Sequence, residues 1–344
     1  MSKRPSFIVN WKDHLGADDG HYPDSDELLS YGCDYSGLTG LGRLGIWMDV
    51  MEPGRRSSWP HAHSKDEEFI LVVEGTPEVW VDGTAHKLGS GDVVGFPAGT
   101  GIAHCFINNS DALARLLVIG DKGGKDDKIH YPLHPARNEQ VKKRGSYWTD
   151  VPVRELGPHD GKPDALRGSK SDVGAVVERP PFIFRWDKYV GVDENHYPDS
   201  DELLCYGAEF TTPLGFAHLG VGIDILKPGR RSGWPHAHEA EEEFILILQG
   251  TPDLWIDGEL HRLSAGDAAG FPAGTGIAHS VLNNTDEEVH FLVAGERNLS
   301  LTGLHYPMHP ARNASIGDRH WIAAEGRARR SHDGKPDALR ESEK

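Results

Sequence analysis

His61 and His63 stand two positions apart in the run SSWPHAHSKDEEFILVVEG that begins at Ser57, and Glu68 follows five residues later. In an extended segment side chains alternate faces, so the two imidazoles share one face while Pro60 and Ala62 take the other. The turn-forming SKDE lets the chain return, and an antiparallel neighbour opening at Glu68 can bring its carboxylate beside them. His104 begins the run HCFINN just after the turn PAGTGIA and is a fourth candidate. Three nitrogens and one oxygen, with no thiolate, suit a divalent transition metal: iron, manganese, nickel, cobalt, copper or zinc. His236, His238, Glu243 and His279 repeat the set in full, which predicts one metal per half. A lone histidine at a strand end is ordinarily structural or solvated; eight such residues at matching spacing are read as ligands.

The elements that position these residues are also written twice. HYPDSDELL occurs at 21 and 196, PGRRS at 53 and 228, GFPAGTGIAH at 95 and 270, and HPARN at 134 and 309, all at a shift of 175. HDGKPDALR recurs at 159 and 332, a shift of 173. Such self-similarity over nearly the whole of each half predicts two complete domains, 1–172 and 176–344, with the polar GSKSDVGAVVE between the repeats. Within a half, short apolar runs such as EFILVVEG, PEVWVDG and ARLLVIGD alternate with Gly, Asp, Asn and Pro. That texture, without a long segment of 3.6 period, predicts an all-β antiparallel sandwich or small barrel. HYPLHPARN and HDGKPDALR read as extended arms outside it, and Trp80 and Trp255, each before an Asp-Gly turn, as packing residues.

Composition narrows the partners. With 36 basic and 53 acidic residues the formal charge is −17, which repels polyanions and argues against nucleic acid. The N-terminus MSKRPSFIVNWKDHLG lacks the apolar stretch of a secretory signal, and nowhere do about 18 apolar residues run together, so a cytoplasmic protein without a membrane partner is expected. Cys33, Cys105 and Cys205 do not correspond between the halves and form no disulfide or zinc pattern.

The run from Gly54 through His61, His63 and Glu68 to Gly75 resembles the first cupin motif, and that from Gly91 through Pro97, Gly99 and His104 to Asn108 resembles the second. The tandem arrangement resembles a bicupin. The resemblance implies two double-stranded β-helix (jelly-roll) barrels, at about 40–120 and 215–295, each with a metal held by three His and one Glu. Two departures recur in both halves: one additional residue between Gly54 and His61, and two additional residues in PAGTGIAH, both read as variant turns.

Extending the alternation of His61 back along the chain places Arg55 and Trp59 inward, with Arg230 and Trp234 as counterparts. Asn108 and Asn283 share the parity of His104 and His279, as do Phe106 and Val281. These eight are the substrate-pocket candidates; the alternative for the arginines is pairing with surface carboxylates at the barrel mouth. Phe106 against Val281, and Trp47 against Gly222, predict that one site is roomier. A metal with open coordination and a positive pocket favours a small anionic or enolisable substrate. The first expectation is therefore a dioxygenase-type oxidoreductase, as in similar bicupins. The second is a redox-neutral isomerase, epimerase or decarboxylase on a sugar, sugar phosphate or organic acid, which needs His130, Tyr131 or His134 to fold over the pocket as proton carrier. The third is a non-catalytic small-molecule-binding cupin. The run FILVV needs cover on both faces, which predicts that the two barrels pack face to face, braced by the arms HYPDSDELL and HYPLHPARN. A homodimer of that unit is compatible with the sequence but not specified by it.

Overall fold

The computed structural model describes residues 4–122, 126–167, 178–297 and 303–342, and most of the inter-repeat segment lies outside them. The first half runs β1 (Ile8–Asn10), β2 (Tyr31–Asp34), β3 (Leu44–Met51), β4 (Ala62–His63), β5 (Glu68–Glu74), β6 (Glu78–Val81), β7 (Thr84–Lys87), β8 (Asp92–Phe96), β9 (His104–Ile107), β10 (Ala114–Asp121) and β11 (Ile129–His130). The second half runs β12 (Ile183–Arg185), β13 (Tyr206–Glu209), β14 (Leu219–Leu226), β15 (Ala237–His238), β16 (Glu243–Gln249), β17 (Asp253–Ile256), β18 (Glu259–Arg262), β19 (Asp267–Phe271), β20 (His279–Leu282), β21 (Val289–Glu296) and β22 (Leu304–His305). The chain is all-β in architecture, two jelly-roll domains in tandem, and its helices are short.

In each half a six-stranded antiparallel sheet faces a three-stranded one. The large sheets have the orders β12-β8-β5-β10-β3-β2 and β1-β19-β16-β21-β14-β13. The small ones are β7-β6-β9 and β18-β17-β20. Alternation along β5 sorts its side chains. Ile70 and Val72 enter the interior of the first jelly roll with Val79, Val94 and Phe106, while Phe69 and Leu71 point out of it. The outward residues meet Phe210, Phe244, Leu246 and Leu292 of the second half, so the largest core cluster lies between the two domains. The tight turn between β6 and β7 needs a left-handed Gly83 (φ 89°), and a Cβ there would meet the backbone nitrogen of Gly157 at 2.2 Å.

The two large sheets exchange strands. β1, from the first half, pairs with β19 of the second, Ile8 opposite Ala269 and Asn10 opposite Asp267. Reciprocally, β12 pairs with β8, Ile183 opposite Val94 and Arg185 opposite Asp92. Boundaries drawn from the repeat alone, 1–172 and 176–344, thus cut across both sheets. Two buried carboxylates lock the exchange. Glu67 accepts backbone N–H groups from Ala217, His218 and Leu219 at 2.5, 2.9 and 2.9 Å, and Glu242 accepts those of Gly42, Arg43 and Leu44 at 2.8, 2.9 and 3.0 Å. The arms expected to brace this interface serve their own half instead. β11 pairs with β4, and Glu27 from HYPDSDELL grips Arg56 at 2.6 and 2.7 Å. No helix among the described residues is long and apolar enough to cross a membrane, and the cysteines are free and buried.

Candidate metal centres

His61 and His104 sit opposite each other, the N–H of each donating to the carbonyl of the other at 3.1 and 2.9 Å. His63 lies in β4, and Glu68 opens β5 between Gly120 and Phe96. Phe96 stacks on His104 with ring centroids 3.6 Å apart and fixes that imidazole from behind. Its counterpart Phe271 stacks on His279 at the same distance.

Each imidazole is oriented through Nδ1. In the first centre His61 donates to the Trp59 carbonyl at 2.8 Å and His104 to the Ile102 carbonyl at 3.2 Å, while His63 faces Asp127 at 2.7 Å. In the second, His236 donates to the Trp234 carbonyl at 2.8 Å and His279 to the Ile277 carbonyl at 3.2 Å, while His238 faces Glu241 at 3.1 Å. Committing Nδ1 outward frees Nε2 to point inward, the arrangement that metal-ligating histidines require. In the second centre His238, His279 and His236 place Nε2 at 3.0, 3.2 and 3.9 Å from one oxygen of Glu243. In the first, His104 Nε2 lies 2.6 Å from Glu68, and donor atoms of His61, His63 and Glu68 all lie within 4.8 Å of one another. Donors bound at about 2.1 Å stand about 3 Å apart when adjacent, which is the spacing of His104 to Glu68 and of His238 and His279 to Glu243.

The electrostatics divide the ligands: against burial, Asp127 and Glu68 raise His63, and Glu241 and Glu243 raise His238 to about 9, so in the metal-free protein a metal must displace a proton from each. Burial, helped by His63 and His104, lowers His61 to about 3, so it is neutral and ready to coordinate at neutral pH. Burial alone would raise Glu68, but His104, His61 and His63 together pull it down to about 2, so the ligand oxygen is anionic. Asp127 behaves likewise: burial opposes ionisation, yet the hydrogen bond to His63 and two backbone N–H groups hold it near 2.

The substrate-pocket candidates have other partners. Arg55 pairs with Asp18, and Arg230 with Asp193. Trp59 is sandwiched between Tyr22 at 4.2 Å and His134 at 4.1 Å, with its indole N–H on Glu27 at 3.0 Å, and Trp234 is held the same way by Tyr197 and His309. Residues between β3 and β4 form turns, so the period-two alternation used to place Arg55 and Trp59 inward does not run through them. Asn108 and Asn283 are fully buried and tie strand ends, Asn108 donating to Met51 at 2.9 Å and Ala112 at 2.8 Å, Asn283 to Leu226 at 2.8 Å and Glu287 at 2.7 Å. Phe106 and Val281 do face inward, but into the apolar interiors.

Tyr131, one of the three proton-carrier candidates, approaches the first centre, and residues that had not been singled out join it. Tyr131, carried in by β11, lies 5.8 Å from His61 between ring centroids, and Tyr306 repeats this at His236. Asp49 and Asp224 lie on the inward rows of β3 and β14, and burial, reinforced by the charge of Glu68 or Glu243, raises each to about 6 against an opposing hydrogen bond from Ser30 or Cys205. A cavity of about 240 Å³ opens onto His63 and Glu68, with Trp47 and Lys122 at its rim. The signal for Asp49 was present in sequence, a lone carboxylate inside LGIWMDVM, and so was that for Asp224 in LGVGIDIL.

The family model described as Cupin domain matches residues 47–120 and 222–295. Quercetin 2,3-dioxygenase of Bacillus subtilis (strain 168) is similar at 22% identity over 258 residues, 72% of this chain and 72% of its own length. A structure concerned with the Mn(II) centres of Bacillus subtilis oxalate decarboxylase superposes with a TM-score of 0.52 at 15% identity, covering 97% of this chain and 89% of that one. The formate complex of Lactobacillus farciminis oxalate decarboxylase gives 0.53 at 15% identity over 94% of this chain and 96% of that one. At such identity the structural likeness speaks for the fold.

Proposed function

We propose, from the premise that this chain belongs to the cupin superfamily as a bicupin, that it is a metal-dependent enzyme of the dioxygenase type acting on a small anionic or enolisable organic substrate. The observation that carries this reading is the gathering, in both halves, of three imidazoles around one carboxylate, with His104 2.6 Å from Glu68 and His238 and His279 3.0 and 3.2 Å from Glu243. Four protein donors leave one or two positions of an octahedral ion open, and an open position is what a substrate needs. His61, His63, Glu68 and His104 would hold one ion; His236, His238, Glu243 and His279 would hold the other. When bound, such an ion supplies Lewis-acid and redox chemistry that no side chain here can supply. The protein's part is to align the imidazoles through Trp59, Ile102 and Asp127, to keep His61 neutral by burial, to hold Glu68 ionised, and to pack Phe96 and Tyr131 against the cluster. Lys122 at the rim favours an anion.

The redox-neutral reading, a decarboxylase above all, is supported by the proton carriers near the centres. Tyr131 lies beside His61, and Asp49 and Asp224, raised to about 6, exchange protons near neutrality. The relatives include both chemistries by name, a dioxygenase and decarboxylases. Elemental analysis of the purified protein tests the shared premise: two ions per chain, falling to one in His61→Ala and in His236→Ala. Oxygen electrode measurements then separate the readings. Stoichiometric oxygen uptake supports the first, and full turnover under strict anaerobiosis overturns it.

A further inference from the structure

We propose that the second half carries an anion-binding site of its own, centred on Arg329 and separate from the metal centres, which takes a small organic acid: a carboxylate or phosphate group on an apolar body.

A cavity of about 470 Å³ lies between the segment preceding β1, the β17–β18 hairpin and the C-terminal arm at 327–330. Neither His/Glu cluster contributes to its walls. Pro5, Phe7 and Ile256 give it apolar surface, while Arg327, Arg329 and Arg330 face two carboxylates, Asp257 and Glu259. Two of the arginines are answered: Arg327 Nε lies 2.6 Å from Asp257 and Arg330 Nε 3.0 Å from Glu259. Arg329 pairs with no carboxylate among the described residues. One of its Nη atoms donates to Nε2 of His305 at 2.9 Å, and its Nε is buried without a hydrogen-bond partner. Burial lowers its pKa, Asp257 opposes that shift and Arg327 adds to it, so the charge is held at a cost that an incoming anion relieves. A guanidinium presents its donors as a planar fork that matches carboxylate and phosphate, and the contact with His305 occupies one corner of it. The volume falls within the range of about 300–1,000 Å³ typical of small-molecule pockets.

The first half shows what the same scaffold does without this cation. Arg154 holds Asp82 there as Arg327 holds Asp257. A Cβ on Gly83 or on Gly258 would strike the backbone of Gly157 or of Arg330, so both arms press on the same turn. Leu156 and Gly157 stand where the second half has Arg329 and Arg330, Glu155 where it has Ala328, and Thr84 where it has Glu259. One arginine therefore meets two carboxylates in the first copy, and three meet two in the second. Docking of the arm needs no Arg329; the unanswered cation is an addition, in a chain whose formal charge is −17.

The test titrates the full-length metal-loaded protein by calorimetry with phenyl phosphate, benzoate and inorganic phosphate, with metal content measured for every variant. One organic anion per chain is expected to depend on Arg329. Arg329→Leu, which installs the residue of the first half, should weaken that binding at least about tenfold with metal content unchanged. Arg329→Lys, which keeps the charge and loses the fork, should weaken it by about three- to tenfold, and Leu156→Ala, at the matching position of the first half, should leave it intact. Phenyl phosphate should bind at least about fivefold tighter than inorganic phosphate, because the apolar wall covers the ring. The tighter of benzoate and phenyl phosphate names the acid group. No Arg329-dependent binding of either organic probe overturns the site, and equal affinity for phenyl and inorganic phosphate overturns the apolar body. A protein that holds no metal yet keeps the Arg329-dependent anion would count against the metal-centre reading and support this one.

Discussion

Replacing Glu67 by alanine tests how the two halves hold each other. Its carboxylate is 2% exposed and receives three backbone N–H groups from the start of β14, at 2.5, 2.9 and 2.9 Å. The variant leaves the buried Leu219 N–H and the part-buried N–H groups of Ala217 and His218 without this acceptor. Each such orphan costs about 1–3 kcal/mol, and partial entry of water recovers some of it, so a loss of about 3–5 kcal/mol is expected. Because Glu68, the next residue, points to the opposite face and into the metal cluster, the measurement belongs in chelator-treated protein, where metal binding cannot contribute. Urea unfolding followed by tryptophan fluorescence should show the midpoint falling with an unchanged slope for Glu67→Ala, and by a similar amount for Glu242→Ala. The double variant should lose less than the sum of the two if both carboxylates guard one interface that opens as a unit. A loss below about 1 kcal/mol in the single variants would refute the reasoning, since it would mean that the three donors find water at no cost.

Three further outcomes follow from the same geometry. Asp127→Asn removes the charge of the carboxylate 2.7 Å from His63 Nδ1, so metal affinity at the first centre should fall by about 10–100-fold with the second unchanged, and Glu241→Gln should do the reverse; competition with a chromophoric chelator reads both. Asp49 is raised to about 6 from an unfolded value near 3.9, so its contribution to stability is complete below about pH 4 and is lost as pH rises through 6. Metal-free Asp49→Asn should therefore nearly match the unaltered protein at pH 4 and exceed it by up to about 3 kcal/mol at pH 8; equal stability at both pH values would contradict the assignment. Deleting residues 1–10 removes β1, whose Ile8 and Val9 are 5% and 6% exposed and cover β19, so the second centre, 230 residues away in sequence, should lose metal before the first does, as followed by residual metal per chain in His61→Ala and His236→Ala backgrounds. The burial of those two side chains alone is worth about 3–6 kcal/mol.

The sequence by itself determined the fold class and named the two candidate ligand sets. His61, His63, Glu68 and His104 were legible because strand alternation and turn length are local properties, and because the second copy at a shift of 175 turned coincidence into pattern. The same local rule misled where the chain is not a strand. Arg55 and Trp59 were set inward by an alternation that the turns before β4 interrupt, and the buried arginine is its neighbour Arg56, 1% exposed and clamped by Glu27. Tertiary structure decided everything that depends on which distant surfaces meet: that β1 and β12 change partners between the sheets, that Glu67 and Glu242 pin the opposite half, and that Asp127 reaches His63 from the arm while Glu241 reaches His238 from the adjacent turn. Spacing along the chain fixes which side chains share a face, but only the packing of two sheets fixes what each face looks at.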